Sequence, residues 1–150
     1  MARQFKTPDY EAALNQTITL RDALPLNHLA RLVIDVIAQL DLSRIYAGYA
    51  PVGGVAFAPE ILLGLLFYGY AAGVFSSRKI EKATYESIPM RFIAGGLHPD
   101  HDPIAVFRKT FLGQIKELFV QILLLGQVAG LLKSPSRLHR FYSQTPAPDC

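Results

Sequence analysis

The sequence predicts an all-α fold, and three observations carry that expectation. Apolar side chains recur at steps of three and four along several stretches. Glycines and prolines fall where those stretches begin and end. No run alternates polar and apolar residues for the length of a strand. The 150 residues, 51% of them hydrophobic, suffice for one domain with a core and make two unlikely. That apolar share excludes a mainly disordered chain. The single cysteine, Cys150, excludes a disulfide framework and a multi-cysteine zinc site.

The elements follow in order. Residues 1–24 read as a polar lead-in, extended and then turning at Ala23-Leu24-Pro25. Leu29, Leu32, Val33, Val36, Ile37 and Leu40 then draw one apolar helical stripe. Asn27 is the expected N-cap, since its side-chain oxygen can accept a free backbone N–H, and the helix should stop near Leu42. Residues 43–58 hold Gly48, Pro51, Gly53 and Gly54 and read as a loop. Pro59 suits the first turn of a helix, where its missing N–H costs nothing. Residues 59–73 are apolar all round, which places that helix at the centre of the core, with Gly73 ending it.

Ser76 or Ser77 caps the next helix, which runs from Arg78 to Ser87 with a polar face of Arg78, Lys79, Glu81, Lys82 and Glu86. Pro89 opens a short helix, Met90–Ala94, ended by Gly95-Gly96. Asp102 is the expected cap of a helix starting at Pro103. Its stripe runs through Ile104, Phe107, Phe111, Ile115, Leu118, Ile122, Leu125 and Ala129, with Gly113 as its expected break and Gly130 as its end. From Ser134 onward no period survives and three prolines intervene, so residues 134–150 read as disordered. The domain is therefore expected over 25–133.

Two apolar runs raise the question of a membrane. Ile61–Ser77 carries no charge over 17 residues, and Leu118–Leu132 is 15 residues long with Gln121 and Gln127 inside it. A spanning helix needs about 20 predominantly apolar residues. Both runs fit core helices better, and a small membrane protein is the minor alternative. The N-terminus, with Asp9 and Glu11 and no apolar run, does not read as a secretory signal. A cytoplasmic protein is expected.

The formal charge of +3 is uneven. Residues 1–60 sum to −1, 61–112 to +2, 113–132 to zero and 133–150 to +2. The middle block, Arg78–Lys109, carries Arg78, Lys79, Lys82, Arg91, Arg108 and Lys109, with His98 and His101 in its turn. Three short helices in this layout resemble a helix-turn-helix unit, in which basic side chains neutralise phosphates. A plain solvated face is the competing account, because Glu81, Glu86, Asp100 and Asp102 are interspersed.

Other constellations carry less. His98-Pro-Asp100-His101-Asp102 lacks the spacing of a standard zinc motif, and capping by Asp102 with His98 packed in the turn accounts for it better. Gly73-x-x-Ser76-Ser77-Arg78-Lys79 lacks the second glycine and the Gly-Lys-Ser/Thr core of a phosphate loop. Arg78 and Lys79 in a first helical turn oppose the helix dipole by a few tenths of a kcal/mol, a local conflict of the kind that function explains. No Ser/His/Asp set, Cys/His pair or carboxylate cluster emerges, so no catalytic centre and no bound cofactor are expected in this chain.

The residues also match a family in order. Pro25-x-x-His28-Leu29-Ala30-Arg31-Leu32-Val33 resembles the opening helix of the N-terminal, InsH-like domain of bacterial insertion-sequence DDE transposases. Pro59-x-x-Leu62-Leu63, then Tyr68-Gly-Tyr70-Ala-x-Gly73-Val-x-Ser76-Ser77-Arg78-Lys79-Ile80-Glu81, resembles its central block. Arg91-Phe92-x-Ala94-Gly95-Gly96 and Pro99-Asp100-His101-Asp102-x-Ile104-Ala-x-Phe107-Arg108 resemble the third. Leu118-Phe119 and Gly130-Leu131 fit the helix after it, so the resemblance spans roughly 4–133.

The resemblance implies a domain that binds the terminal repeats of a mobile element and assembles with itself or with full-length transposase. It precedes a catalytic domain whose Asp-Asp-Glu set holds divalent metal, Mg²⁺, for strand cleavage and transfer. The family continues into Asp-Gly-Thr-Lys, which bears the first catalytic Asp. Here the chain reads Leu132-Lys133-Ser134-Pro135-Ser136-Arg137-Leu138-His139-Arg140 and closes at Cys150. The tail thus looks frameshifted or foreign, and the fragment a truncated transposase or a decayed product that pairs with an intact one. Pro103 stands where the family has Thr or Ser, removing a hydroxyl and an N–H that could touch phosphate. The implied phosphate contacts are Arg78, Lys79, Lys82, Arg108 and Lys109, with Arg91 and His101 as second choices.

Overall fold

The computed structural model describes residues 3–49 and 56–128. Among them the chain is helical, with no strand. The helices are α1 (Tyr10–Leu14), α2 (Leu20–Ala23), α3 (Leu29–Ala38), α4 (Ser43–Ala47), α5 (Pro59–Ala72), α6 (Ser77–Glu86), α7 (Ile88–Ile93), α8 (His101–Thr110) and α9 (Leu112–Val128). The all-α expectation holds. The expected tail, 134–150, lies outside the described residues, as do Ala129 and Gly130.

The apolar helix predicted from Pro59 is the centre of the core. Every residue from Leu62 to Phe67 of α5 is buried. Its neighbour α3 contributes Val33 and Ile37 from the predicted stripe and Ala30 from outside it, while Leu29 of that stripe is exposed. A Cβ on Gly64 would lie 2.8 Å from Ile93 Cγ2, so glycine there lets α7 approach α5. Ile104, Phe107, Phe111, Ile115 and Leu118 complete the core from α8 and α9. The charge-free stretch is therefore interior over Leu62–Phe67 and exposed at Ala71, Ala72 and Gly73, and among the described residues no single helix is long and apolar enough to cross a membrane. The joined pair α5 and α6 would pass on composition, but it bends by 94°.

Two glycine turns set the layout of the basic block. Gly73 takes φ 82, Val74 N–H returns to the Gly69 carbonyl at 2.7 Å, and α5 ends in a Schellman turn. Gly95, at φ 61, closes α7 in the same way, with Gly96 N–H on the Arg91 carbonyl at 3.1 Å. Between them, Ser76 Oγ accepts from Lys79 N–H to start α6, and Ser87 Oγ accepts from Met90 N–H to start α7.

Several boundaries differ from expectation. The lead-in is not simply extended: Asp9 caps α1 and Thr19 caps α2 through their side-chain oxygens. His28, not Asn27, caps α3, its Nδ1 accepting from Ala30 N–H at 3.0 Å. That helix ends at Ala38 rather than near Leu42, and the expected loop contains α4, which buries Ile45. The helix expected from Pro103 starts two residues earlier at His101 and has no side-chain cap. Pro103 stays within its first turn, where backbone N–H groups are unpaired in any case. The break falls at Phe111, ahead of Gly113.

Candidate nucleic-acid interface

The seven predicted contact residues separate into two groups. Arg78, Lys79 and Lys82 on α6, Arg91 on α7 and Lys109 on α8 are exposed. Arg108 is not: it is 4% exposed. Its Nη2 donates to the Phe75 carbonyl at 2.8 Å, and its guanidinium lies 5.8 Å from the centroid of the Tyr70 ring. Arg108 thereby ties α8 to the corner between α5 and α6, and it is corrected from phosphate ligand to internal clasp. The sequence signal existed. Arg108 directly follows the buried Phe107 and sits four residues after the buried Ile104, on the helix face that turns inward.

His101 is also committed elsewhere. Its Nδ1 lies 3.2 Å from Glu81 Oε2 and its Nε2 3.3 Å from Asp102 Oδ1. The ring therefore bridges α6 and α8. Asp102, expected as a cap, instead faces this ring. His98 packs in the turn as expected, against Tyr85, with ring centroids 3.8 Å apart and planes 5° apart.

What remains is concentrated on α6. The exposed positions 78, 79, 82, 85 and 86 form one face, opposite the buried Ser77, Ile80 and Thr84. Arg78 and Lys79 stand in its first turn with no acidic residue beside them there. Cations at that end oppose the dipole, so this helix does not place them for its own stability. Lys82 meets Glu86 at 3.9 Å, with both side chains exposed, a weak pair that an anionic ligand can displace. Glu81 is drawn toward His101 and away from this face. With Arg108 internal, five of the six cations in 61–112 face solvent, and the net charge of the block stays +2.

Among the described residues no group of three or more His, Cys, Asp or Glu could hold a metal ion. A cleft of about 410 Å³ is lined by Tyr49, Phe57, Leu62, Pro103, Phe107 and Phe111 among others, and Tyr49 is the one titratable group among its described lining residues.

The described residues thus form an all-helical domain with exposed cations gathered on one short helix. The chain belongs to the family described as Transposase domain (DUF772), whose model matches residues 18–110. The match takes in α2 through α8 and stops before α9, a narrower span than the resemblance over 4–133. No curated protein and no solved structure matches the chain.

Proposed function

We propose that this chain is the DNA-binding N-terminal part of a DDE-type insertion-sequence transposase, and that it binds element-end DNA through α6. The observation that carries the reading is the α6 face, with Arg78, Lys79 and Lys82 exposed on one helix and held by a transposase-family fold. Arg91 and Lys109 supply further phosphate contacts from α7 and α8. Strand cleavage and transfer would belong to a metal-binding catalytic domain outside this chain. Two-metal phosphoryl chemistry needs clustered carboxylates, and among the described residues no group of three or more His, Cys, Asp or Glu could hold a metal ion.

The experiment is a titration of the full chain with terminal-repeat DNA and with unrelated DNA of equal length, across salt concentrations. The expected result is tighter binding to the terminal repeat and a linear fall of log affinity with log salt. Binding that ignores salt, or no binding by the folded chain, contradicts the proposal.

A second reading has its own observation. Phe5, Tyr10, Leu14 and Ile18 are each more than 60% exposed along a segment that buries nothing. Such a segment suits pairing with a transposase chain, and co-purification with full-length transposase that disappears on removing residues 1–19 supports that reading.

A further inference from the structure

Tyr85 is the one aromatic residue on the exposed face of α6, and the residue is 60% exposed. It follows Lys82 by three residues and Arg78 by seven, which puts the three side chains within about 60° of one another around the helix. A lone exposed aromatic needs no explanation. This one is different because its ring is held in place from beneath. His98 stacks on one face at 3.8 Å with 5° between the planes. His98 is fixed in turn: the Thr84 hydroxyl donates to the Glu81 carbonyl at 2.6 Å, leaving its oxygen to accept from His98 Nδ1 at 3.1 Å. One face of the Tyr85 ring is thus covered and oriented, and the other is open.

We propose that the open face of Tyr85 is a stacking platform for an unpaired nucleobase, placed beside the phosphate contacts of Arg78 and Lys82. This deepens the DNA-binding reading and rests on it. Inside an intact duplex every base face is already covered by its neighbours, so a ring face meets a base face only where a base is unpaired or turned out. Cations that track the backbone, joined to an aromatic ring that stacks on bases, are the combination that holds single strands. The ring that His98 holds loses little freedom on binding, which favours stacking over a mobile side chain. The ligand class is therefore single-stranded or locally unpaired DNA.

The test uses the full chain, a dye-labelled oligothymidylate of about 20 nucleotides and a duplex of the same length. Tyr85→Phe keeps the ring and is expected to bind both within about twofold of the unaltered chain. Tyr85→Leu is expected to weaken single-strand binding about tenfold or more while changing duplex binding less than about twofold, with an unchanged salt slope. In the unaltered chain, photocrosslinking from an iodouracil-substituted single strand is expected to map to Tyr85.

If Tyr85→Leu binds the single strand normally while Arg78→Ala/Lys82→Ala loses affinity, the platform is overturned and DNA binding stands. If the unaltered chain binds neither DNA, both fall together. If Tyr85→Leu loses both DNAs equally, the crosslink decides, and its absence from Tyr85 overturns the platform.

Discussion

Arg108 and Lys109 are adjacent in sequence and opposite in role. The guanidinium of Arg108 is enclosed with a backbone carbonyl and an aromatic ring as its neighbours, while Lys109 is on the outer face of α8. Replacing Arg108 by alanine leaves the Phe75 carbonyl without that donor and empties packed space. We expect Arg108→Ala to lower unfolding free energy by about 2 kcal/mol in a urea titration, with the DNA salt slope of the folded fraction unchanged. A normal stability with a reduced slope would return Arg108 to the interface.

Tyr46 offers a second test at this scale. Its hydroxyl donates to the Glu60 carboxylate at 2.6 Å and 2.7 Å, and that bond, then burial and the carboxylate's charge, push its pKa from 10.0 to about 12. A raised folded value means that the contact's contribution to stability is complete below pH about 10. It vanishes as pH rises through about 12. Glu60→Gln removes the charge that holds the proton, so the late phenolate absorbance should move down toward the ordinary tyrosine range. A titration identical to that of the unaltered chain contradicts the contact.

The helices are held by a few special positions, and α5 shows how. A Cβ on Gly69 would lie 2.6 Å from the Val74 carbonyl oxygen, in the turn that Gly73 makes possible. Gly113 lies in α9 with nothing within 4 Å of the same added atom. Gly69→Ala should therefore cost about 1–3 kcal/mol, whereas Gly113→Ala should stabilise by about 0.5–1 kcal/mol through helix propensity. Chemical denaturation of the two variants checks both signs, and a stabilised Gly69→Ala would refute the close approach.

The elements that sequence made visible are those whose signals reinforce one another. Pro59, an unbroken apolar run and Gly73 mark α5 at both ends and along its length. Ser76 marks the start of α6 and Gly95 the end of α7, whereas Ser87, read as the last residue of the helix before, caps an α7 that runs from Ile88 to Ile93 rather than from Met90 to Ala94. The short helices escaped because α1, α2 and α4 span 5, 4 and 5 residues, too few for a period to appear. His28 escaped as a cap because an imidazole nitrogen takes the place of the usual oxygen. At the candidate site, charge alone named the residues. Burial and partners then separated them: Arg78, Lys79 and Lys82 remain outside, while Arg108 and His101 join helices. Tyr85 escaped because one exposed tyrosine carries no signal until its ring is seen against His98.

At the scale of the whole molecule, net charge is a poor guide. Of the +3, +2 comes from residues 133–150, outside the described residues, and one of the six cations of the basic block, Arg108, is buried. Binding is therefore expected to depend on where the cations stand rather than on how many there are. The transposase-family fold supplies the placement, with α6 set at 94° to the core helix and its cations outward.

The measurement that tests this most directly is the salt dependence of terminal-repeat DNA binding, compared between the unaltered chain and Arg78→Ala/Lys79→Ala/Lys82→Ala. The three positions are exposed, so the variant should fold normally. The prediction is a log–log slope shallower by about 0.9 for each phosphate no longer neutralised, together with a fall in affinity at low salt. An unchanged slope and affinity in the folded variant would mean that DNA is held elsewhere, and would contradict the assignment of α6.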